Sequence, residues 1–260
     1  MRDALARHWP EYAIEAAGLG LFMVSACLFA TLLYHPAAPA THVLPDPLRR
    51  VLMGVAMGLT AIALIYSPWG QQSGAHFNPA VTLTFLRLGR VARWDALFYV
   101  AAQVVGGVLG VVLAVAASRG LVADQPVNFV VTVPGPWGVG VAFAAELAIS
   151  TGLMLVVLTA SNTPRLSRLT GLFAGALVAI YIALEAPLSG MSMNPARTLA
   201  SAIPANLWTA VWIYLIAPPV GMLLAAEIHH RARHPVRCAK LHHDNARRCI
   251  FRCGYAGGGP

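Results

Sequence analysis

The sequence predicts an all-α membrane protein with six transmembrane helices and two shorter half-helices. Of its 260 residues, 58% are hydrophobic and only 11% are charged, whereas soluble domains carry roughly 25% charged residues. Long apolar runs also recur along the chain, and a membrane-crossing helix needs about 20 such residues. This composition argues against a soluble enzyme and against a nucleic-acid partner, so we expect neither.

The six predicted spans are the long apolar runs of the chain. They cover residues 11–34, 51–66, 96–117, 138–160, 169–184 and 207–228. We therefore divide the chain into an N-terminus of residues 1–10, a membrane domain of residues 11–228 and a basic tail of residues 229–260.

The basic residues predict how the spans are oriented. The net charge is +8, with 18 Lys and Arg against 10 Asp and Glu. Six spans place both termini on one side, and most basic residues fall on that side; those on the other side are Arg49, Arg50, Arg119 and Arg197. Because positively charged loops remain in the cytoplasm, we expect a multi-pass protein of the cytoplasmic membrane with both termini inside.

Two apolar segments are too short to cross a bilayer. Residues 77–88 follow the second span and residues 193–203 follow the fifth. Each makes about 15 Å of helix, which is half of a bilayer core. The chain thus forms two similar halves, residues 11–117 and 138–228, and the second half is inverted because each contains three spans. Such inverted repeats indicate a translocation site near the midplane.

Both short segments begin with the same motif, a Ser-Gly pair followed by Asn-Pro-Ala. The motif residues are Ser73, Gly74, Asn78, Pro79 and Ala80 in the first half and Ser189, Gly190, Asn194, Pro195 and Ala196 in the second. Asn is a preferred helix N-cap and Pro a preferred first helical residue, so each motif predicts a helix start. We expect Gly89 and Pro204 to end the two half-helices. The two N-termini would meet near the midplane, where their dipoles oppose cations and the Asn amides donate hydrogen bonds to a solute.

On these paired motifs, the six spans and the inverted repeat, the chain resembles the aquaporin and glycerol-facilitator family, the major intrinsic proteins. The resemblance covers residues 11–228. It implies that Asn78 and Asn194 are central donors in a passive channel for water or small uncharged solutes, which excludes protons and ions. It also implies that the protein is a homotetramer in the lipid bilayer and that the channel needs no cofactor. A wider facilitator for glycerol, ammonia or uncharged metalloid acids is the alternative.

Arg197 lies in the first turn of the second half-helix, where the helix dipole and membrane depth both disfavour a cation. In the family, the arginine at this place belongs to the selectivity constriction. Alignment places Met57, Ile182 and Met191 beside it, unless the register is wrong by a turn and these are ordinary span residues. The family's water-specific pattern has an aromatic and a histidine at the first two places, so we expect a wider and less polar constriction here.

Two carboxylates, Glu15 and Glu146, lie in the first span of each half, where an unpaired charge is costly. The resemblance makes them buried acceptors for the backbone donors of the re-entrant loops. A proton-coupled transporter that uses these acids is the competing hypothesis. The resemblance also places His76 in the cytoplasmic vestibule, although a lone loop histidine can equally be structural.

The tail differs from the rest of the chain because it is rich in His, Cys and Arg. The residues Cys238, His242 or His243, Cys249 and Cys253 form a Cys-x3-His, Cys-x3-Cys arrangement that could close a tetrahedral zinc site, although the spacing matches no standard zinc finger. A basic tail held near anionic lipid is the simpler alternative. A metal-responsive membrane protein that acts through this tail is the third functional hypothesis.

Overall fold

The described part of the protein is helical. A computed structural model describes residues 1–232, 234–244 and 246–255, and these residues form α-helices and no strand. In chain order the helices are α1 (Arg2–Tyr34), α2 (Pro39–Val43), α3 (Asp46–Tyr66), α4 (Pro68–Ser73), α5 (Pro79–Arg87), α6 (Arg93–Ala117), α7 (Gly138–Asn162), α8 (Thr170–Leu184), α9 (Ala186–Ser189), α10 (Pro195–Ala205) and α11 (Val211–Arg231). Short 3₁₀ turns occupy Leu121–Ala123, Asn128–Val130 and Ser167–Leu169.

Six helices are long and apolar enough to cross a membrane, namely α1, α3, α6, α7, α11 and α8 with the 3₁₀ turn before it. These are the six predicted spans. The first begins at Arg2, so residues 2–10 of the predicted N-terminus are helical. The last begins only at Val211, because Ala210 adopts a left-handed conformation that interrupts the helix. The length of an apolar run indicates only the membrane-embedded part of a helix. The polar start of α1 and the irregular segment before α11 lie outside that part.

The two half-helices are α5 and α10, and each begins at the proline of its motif. Both thus start where the Asn-Pro-Ala motif predicts. The apolar segments 77–88 and 193–203 begin two residues before the helices, since Phe77 and Met193 have positive φ angles of 47° and 53°. The prediction that Pro204 ends the second half-helix is wrong. A proline in the last turn removes only one backbone donor, and α10 continues to Ala205 before Asn206 ends it in a left-handed conformation.

The packing of the helices repeats between the two halves. Helix α1 packs on α6 in the first half, and α7 packs on α11 in the second. The half-helices are exchanged, so that α5 contacts α11 and α10 contacts α6, while α3 and α8 pack across the two halves. The inverted repeat seen in the motifs is therefore also a repeat of contacts.

Glycines allow two of these helix pairs to touch through their backbones. A Cβ atom on Gly106 of α6 would lie 2.0 Å from the Ala16 carbonyl oxygen of α1. A Cβ on Gly58 of α3 would lie 2.6 Å from the Gly175 carbonyl oxygen of α8. Small residues at such crossings are the usual means of close helix packing in membranes.

The tail packs against the end of the bundle at which α1 begins. Its described residues after α11 form neither helix nor strand, yet Cys238, Leu241, Cys249 and Phe251 are all buried. The Arg248 side chain donates to the carbonyl oxygen of Arg7 at 2.7 Å. The tail therefore folds onto the protein, which differs from an extended arm on a lipid surface. Arg233, Asn245 and residues 256–260 of the predicted tail lie outside the described residues.

Candidate functional site

The loop before α5 is held by the carboxylate of Glu15, which is fully buried in α1. It accepts hydrogen bonds from Ser73 Oγ at 2.8 Å, from the His76 backbone N–H at 3.1 Å and from the Phe77 backbone N–H at 2.6 Å. Gln103 of α6 adds a fourth bond through Nε2 at 2.8 Å. Loop amides at membrane depth lack water and need such partners.

Glu146 repeats this arrangement for the loop before α10. It accepts from Ser189 Oγ at 3.0 Å and from the backbone N–H groups of Ser192 at 2.6 Å and Met193 at 2.8 Å. Like its counterpart it is fully buried. Each carboxylate thus lies where it can order one re-entrant loop, and its effect on folding stays a prediction.

The two loops share their backbone conformation as well as their hydrogen bonds. Gly74 and Gly190 occupy equivalent left-handed positions, with φ angles of 94° and 79°. Three residues after each glycine, Phe77 and Met193 again have positive φ. In this conformation the backbone N–H groups of Phe77 and Met193 donate to the carboxylates, and their carbonyl groups accept from the motif asparagine of the opposite half.

Two tyrosines missing from the sequence analysis fix the start of each loop. The Tyr99 hydroxyl of α6 donates to the Ser73 carbonyl oxygen at 2.7 Å. The Tyr214 hydroxyl of α11 donates to the Ser189 carbonyl oxygen. The signal in the sequence was a tyrosine in the third span of each half, which only an alignment of the two halves would have revealed.

Each motif asparagine caps its own half-helix. Asn78 Oδ1 accepts from the Ala80 backbone N–H at 2.8 Å. Asn194 Oδ1 accepts from the N–H groups of Ala196 and Arg197 at 3.1 and 3.2 Å. These bonds satisfy backbone donors that a helix N-terminus leaves free, and they fix which way each amide faces.

The amide nitrogens of the same asparagines cross between the halves. Asn78 Nδ2 donates to the Met193 carbonyl oxygen at 2.7 Å, and Asn194 Nδ2 donates to the Phe77 carbonyl oxygen at 2.8 Å. An amide nitrogen has two donor hydrogens, so one remains on each residue. The two half-helices consequently meet at their N-terminal ends, each presenting one spare donor.

A cavity of about 380 Å³ passes this meeting point. At one end it is lined by Asp46 and Arg50, and at the other by Ile65, His76 and Leu241. Between these ends its wall contains both motif asparagines and all four predicted constriction residues: Met57, Asn78, Ile182, Met191, Asn194 and Arg197. The structure therefore brings the predicted pore residues to one passage, and their roles in selectivity stay predictions.

Arg197 is held by the loop between α6 and α7. Its Nη1 donates to the Val130 carbonyl oxygen at 2.8 Å, which fixes one edge of the guanidinium. Met57, also in the cavity wall, is 1% exposed, and Ser25 Oγ lies 3.8 Å from its sulfur. A fixed planar cation thus shares the passage with thioether and aliphatic groups.

Comparison with known proteins decides the family. The family model described as "Major intrinsic protein" matches residues 6–229.

The chain belongs to the major intrinsic protein family.

Similar proteins include aquaporin NIP1-3 from Oryza sativa subsp. japonica, 37% identical over 180 residues, which are 69% of this chain and 61% of that protein. Aquaporin NIP6-1 from Arabidopsis thaliana is 39% identical over 170 residues, covering 65% of this chain and 53% of the relative. The chain thus spans less than two thirds of the length of these relatives. The X-ray structure of the aquaglyceroporin from Plasmodium falciparum matches with a TM-score of 0.70 at 21% identity, covering 87% of this chain and 97% of that one, and it shows the same fold.

Members of the major intrinsic protein family are channels and not enzymes. Family membership therefore agrees with the prediction of a non-enzymatic membrane protein. It disfavours the hypothesis that the chain is a metal-responsive membrane protein in place of a channel.

In this major intrinsic protein the tail covers one end of the cavity. The His76 ring stacks between Phe85 and Phe251, with ring centroids 5.3 Å away on each side. Its Nε2 lies 2.7 Å from the Ala239 carbonyl oxygen, and the Leu241 backbone N–H donates to the Gly74 carbonyl oxygen at 3.1 Å. We name Ala239, Leu241 and Phe251 the plug. His76 lines the cavity and is only 4% exposed beneath the plug, and its place in a cytoplasmic vestibule stays a prediction.

The tail also gathers four potential metal ligands. The ligand atoms of Cys238, His243, Cys249 and Cys253 all lie within 4.8 Å of one another. The sequence left His242 and His243 as equal candidates, and the structure selects His243. The His242 ring instead packs edge-on against Tyr66, with ring centroids 5.2 Å apart.

The two buried thiols of this cluster differ in acidity. Cys238 and Cys249 have their sulfurs 3.6 Å apart. The hydrogen bond between the two sulfurs lowers the pKa of Cys249 below its ordinary value. The same bond, together with burial, raises the pKa of Cys238.

Proposed function

We propose that the protein is a passive transmembrane channel for water and small uncharged solutes, which excludes protons and other ions. The observation that carries this proposal is the meeting of α5 and α10 at one cavity through their N-termini. Each helix end contributes about half a positive charge, which opposes cations. The spare amide hydrogens of Asn78 and Asn194 replace hydration contacts that a solute loses on entry.

Arg197 supports ion exclusion from a second position along the same cavity. Its guanidinium cannot lose its proton under ordinary conditions, so it adds a permanent positive charge to the wall. Its remaining N–H groups can donate to the oxygen of a neutral solute. Neutral hydrogen-bonding molecules are therefore favoured over cations.

A wider facilitator for glycerol, ammonia or uncharged metalloid acids is the second candidate. It is favoured by the side chains next to Arg197, because Met57, Ile182 and Met191 line the cavity with apolar atoms. The carbon-bound hydrogens of a solute such as glycerol make favourable contact with such apolar side chains, while Arg197 donates to its oxygens. Water conduction and facilitation of larger solutes differ only in the width and polarity of this neck.

Solute fluxes across proteoliposomes separate the two candidates. Stopped-flow light scattering would follow water, glycerol and urea gradients, with and without a metal chelator. Fast water flux with slow glycerol flux supports a water channel, and fast glycerol flux supports the facilitator. Permeability equal to that of empty liposomes for all three solutes, under both conditions, would contradict the proposed function.

We further propose a homotetramer in the cytoplasmic membrane with both termini in the cytoplasm. The start of α1 and the basic tail lie at the same end of the bundle, as the contact of Arg248 with Arg7 indicates. Basic segments remain on the cytoplasmic side. Accessibility of tags at both termini to protease in intact spheroplasts tests the orientation, and chemical cross-linking in membranes tests for four subunits.

A further inference from the structure

We propose that Cys238, His243, Cys249 and Cys253 bind one zinc ion, which fixes the plug across the mouth of the channel and thereby closes it. The binding site is argued from the geometry of the tail alone. The closure rests in addition on the proposed channel function. The two parts are tested by separate measurements below.

The distances within the cluster match those of a tetrahedral zinc site. With Zn–S bonds of about 2.3 Å, two thiolate ligands lie about 3.7 Å apart. The sulfurs of Cys238 and Cys249 are 3.6 Å apart, and Cys253 Sγ lies 3.9 Å from the ring nitrogens of His243. Three cysteines and one histidine form a common closed ligand set for structural zinc.

The surroundings of the cluster hold the ligands in place. The His243 ring stacks on Tyr255 with ring centroids 4.4 Å apart and an interplanar angle of 14°. Cys238 and Cys249 are 3% exposed. A contact that orients a ligating histidine is a regular feature of metal sites.

The positive charge of Lys240 would balance the net negative charge of the zinc–thiolate complex. Its side chain is 1% exposed and donates to the Arg248 carbonyl oxygen at 2.6 Å. It makes no ion pair with a carboxylate in the part of the chain that the structure describes, but it interacts electrostatically with all three thiol groups. Zinc with three thiolates and a neutral imidazole carries one net negative charge, which this buried ammonium balances.

The metal ligands flank the plug residues along the chain. Cys238 immediately precedes Ala239, and Cys249 and Cys253 lie on either side of Phe251. One ion would therefore join the two tail segments that contact the channel mouth. Because every plug residue lies within two positions of a ligand, metal binding restricts the plug directly.

The tail needs such a restraint because it has no regular secondary structure in its described residues. Fixing an irregular segment costs conformational entropy, and metal ligation supplies folding free energy to small domains of this kind. Leu241 lines the cavity and Phe251 covers His76. Zinc binding would favour this closed arrangement, and zinc removal would release both segments from the mouth.

Metal analysis of the purified full-length protein tests the binding site. We expect one zinc per chain, and cobalt substitution should give the thiolate charge-transfer and tetrahedral d–d absorption bands. His243→Ala and Cys249→Ser should lose metal at a chelator concentration that the parent resists. His242→Ala is the matched control, since His242 lies outside the cluster, and it should bind like the parent. Absence of bound metal in the parent, or equal loss in both histidine variants, would overturn the site.

Water permeability of proteoliposomes tests the closure. The parent should conduct at least about fivefold more slowly with zinc than with chelator. The double variant Cys249→Ser, Cys253→Ser should conduct at the same rate in both, while Cys27→Ser, the same change outside the tail, should keep the response. A parent that binds zinc but conducts equally in both conditions overturns the closure and leaves the channel intact. If neither parent nor double variant conducts in any condition, the proposed function itself fails, and closure with it.

Discussion

Arg197 shows how a single side chain is constrained by its position. It stands in the first turn of α10, beside the backbone donors that Asn194 caps, where a cation is disfavoured. Its bond to the Val130 carbonyl oxygen fixes the guanidinium at the cavity. A charged residue at membrane depth usually has a function, and we predict that Arg197 acts on permeating ions.

Arg197→Val should preserve the fold and weaken the exclusion of protons and cations. Removing the permanent charge lowers the free-energy barrier to the passage of protons. A tenfold rise in proton flux corresponds to a barrier that is lower by about 1.4 kcal/mol. The flux would be measured with a pH-sensitive dye trapped in proteoliposomes. Arg165→Val, the same charge change at an exposed position, should leave proton flux at the parental value. Unchanged proton exclusion in Arg197→Val would refute its role.

Glu15→Gln should reduce stability and folding yield. The substitution replaces one accepting oxygen by an N–H₂ group that faces existing donors, and a buried unsatisfied donor costs about 1–3 kcal/mol. The midpoint of thermal unfolding in detergent measures this loss of stability. Glu227→Gln provides the control, because the Glu227 side chain is 41% exposed and, among the described residues, bonds to Arg231. Full stability of Glu15→Gln together with a lost pH dependence of uptake would favour the transporter hypothesis.

Individual residues were predictable where a local rule applied. Asn78 and Asn194 were found because Asn-Pro-Ala specifies a helix start from short-range capping alone. Gln103 was missed, since a glutamine in an apolar span has no local signature for bonding to Glu15. The choice between the adjacent His242 and His243 depended on the folded path of the tail, which no spacing rule provides.

Among the elements, the helix pairs depend on backbone contact at glycine. Helix α6 approaches α1 so closely at Gly106 that any side chain there would collide with the Ala16 carbonyl group. A backbone atom cannot move aside as a side chain does. The equivalent pair in the second half, α7 and α11, makes the same kind of approach at Gly221, where a Cβ would lie 2.6 Å from the Leu147 carbonyl oxygen.

Gly106→Ala should destabilise the protein although alanine favours helices. The gain in helix propensity is about 1 kcal/mol, whereas forced displacement of packed elements costs typically about 1–3 kcal/mol. At 2.0 Å from a backbone oxygen the collision dominates. Thermal unfolding in detergent should therefore show a lower midpoint.

Gly140→Ala is the matched control for this change. Gly140 lies within α7, and a Cβ there would meet nothing within 4 Å. The thermal unfolding midpoint of the Gly140→Ala protein should equal that of the parent or lie slightly above it. A Gly106→Ala protein that is as stable as Gly140→Ala would contradict the backbone contact.

The elements themselves were largely predictable from hydrophobic run length. All six spans were found because lipid requires long apolar helices. Their ends were less certain, since Arg2 to Pro10 is helical without being apolar. The predicted end of α10 was wrong because Asn206, and not Pro204, is the residue that leaves helical geometry.

At the scale of the whole molecule, the tail is the part that the sequence could not place. The membrane domain follows from repeated local signals, whereas the plug depends on contacts between residues far apart in sequence, such as Leu241 with Gly74. Irregular segments lack periodicity, so only the tertiary structure reveals that this one covers a cavity mouth.

Phe251→Ala should open this mouth. The phenyl ring stacks on His76 and contacts Tyr99 at a centroid distance of 5.9 Å, so its removal uncovers the histidine. Water permeability of zinc-loaded proteoliposomes should rise severalfold. Arg247→Ala, an exposed change in the same segment, should have no effect. Equal permeability of Phe251→Ala and the parent would show that the ring does not obstruct the path.

The crossed bonds between the motif asparagines also bear on how the protein is synthesised. Asn78 needs the carbonyl group of Met193, and Asn194 needs that of Phe77. When the ribosome has made only the first three spans, the Met193 carbonyl group that accepts from Asn78 does not yet exist. Glu15 and Tyr99, which hold the first re-entrant loop, are already present in that half, but the Asn78 amide gains its acceptor only when the second loop inserts.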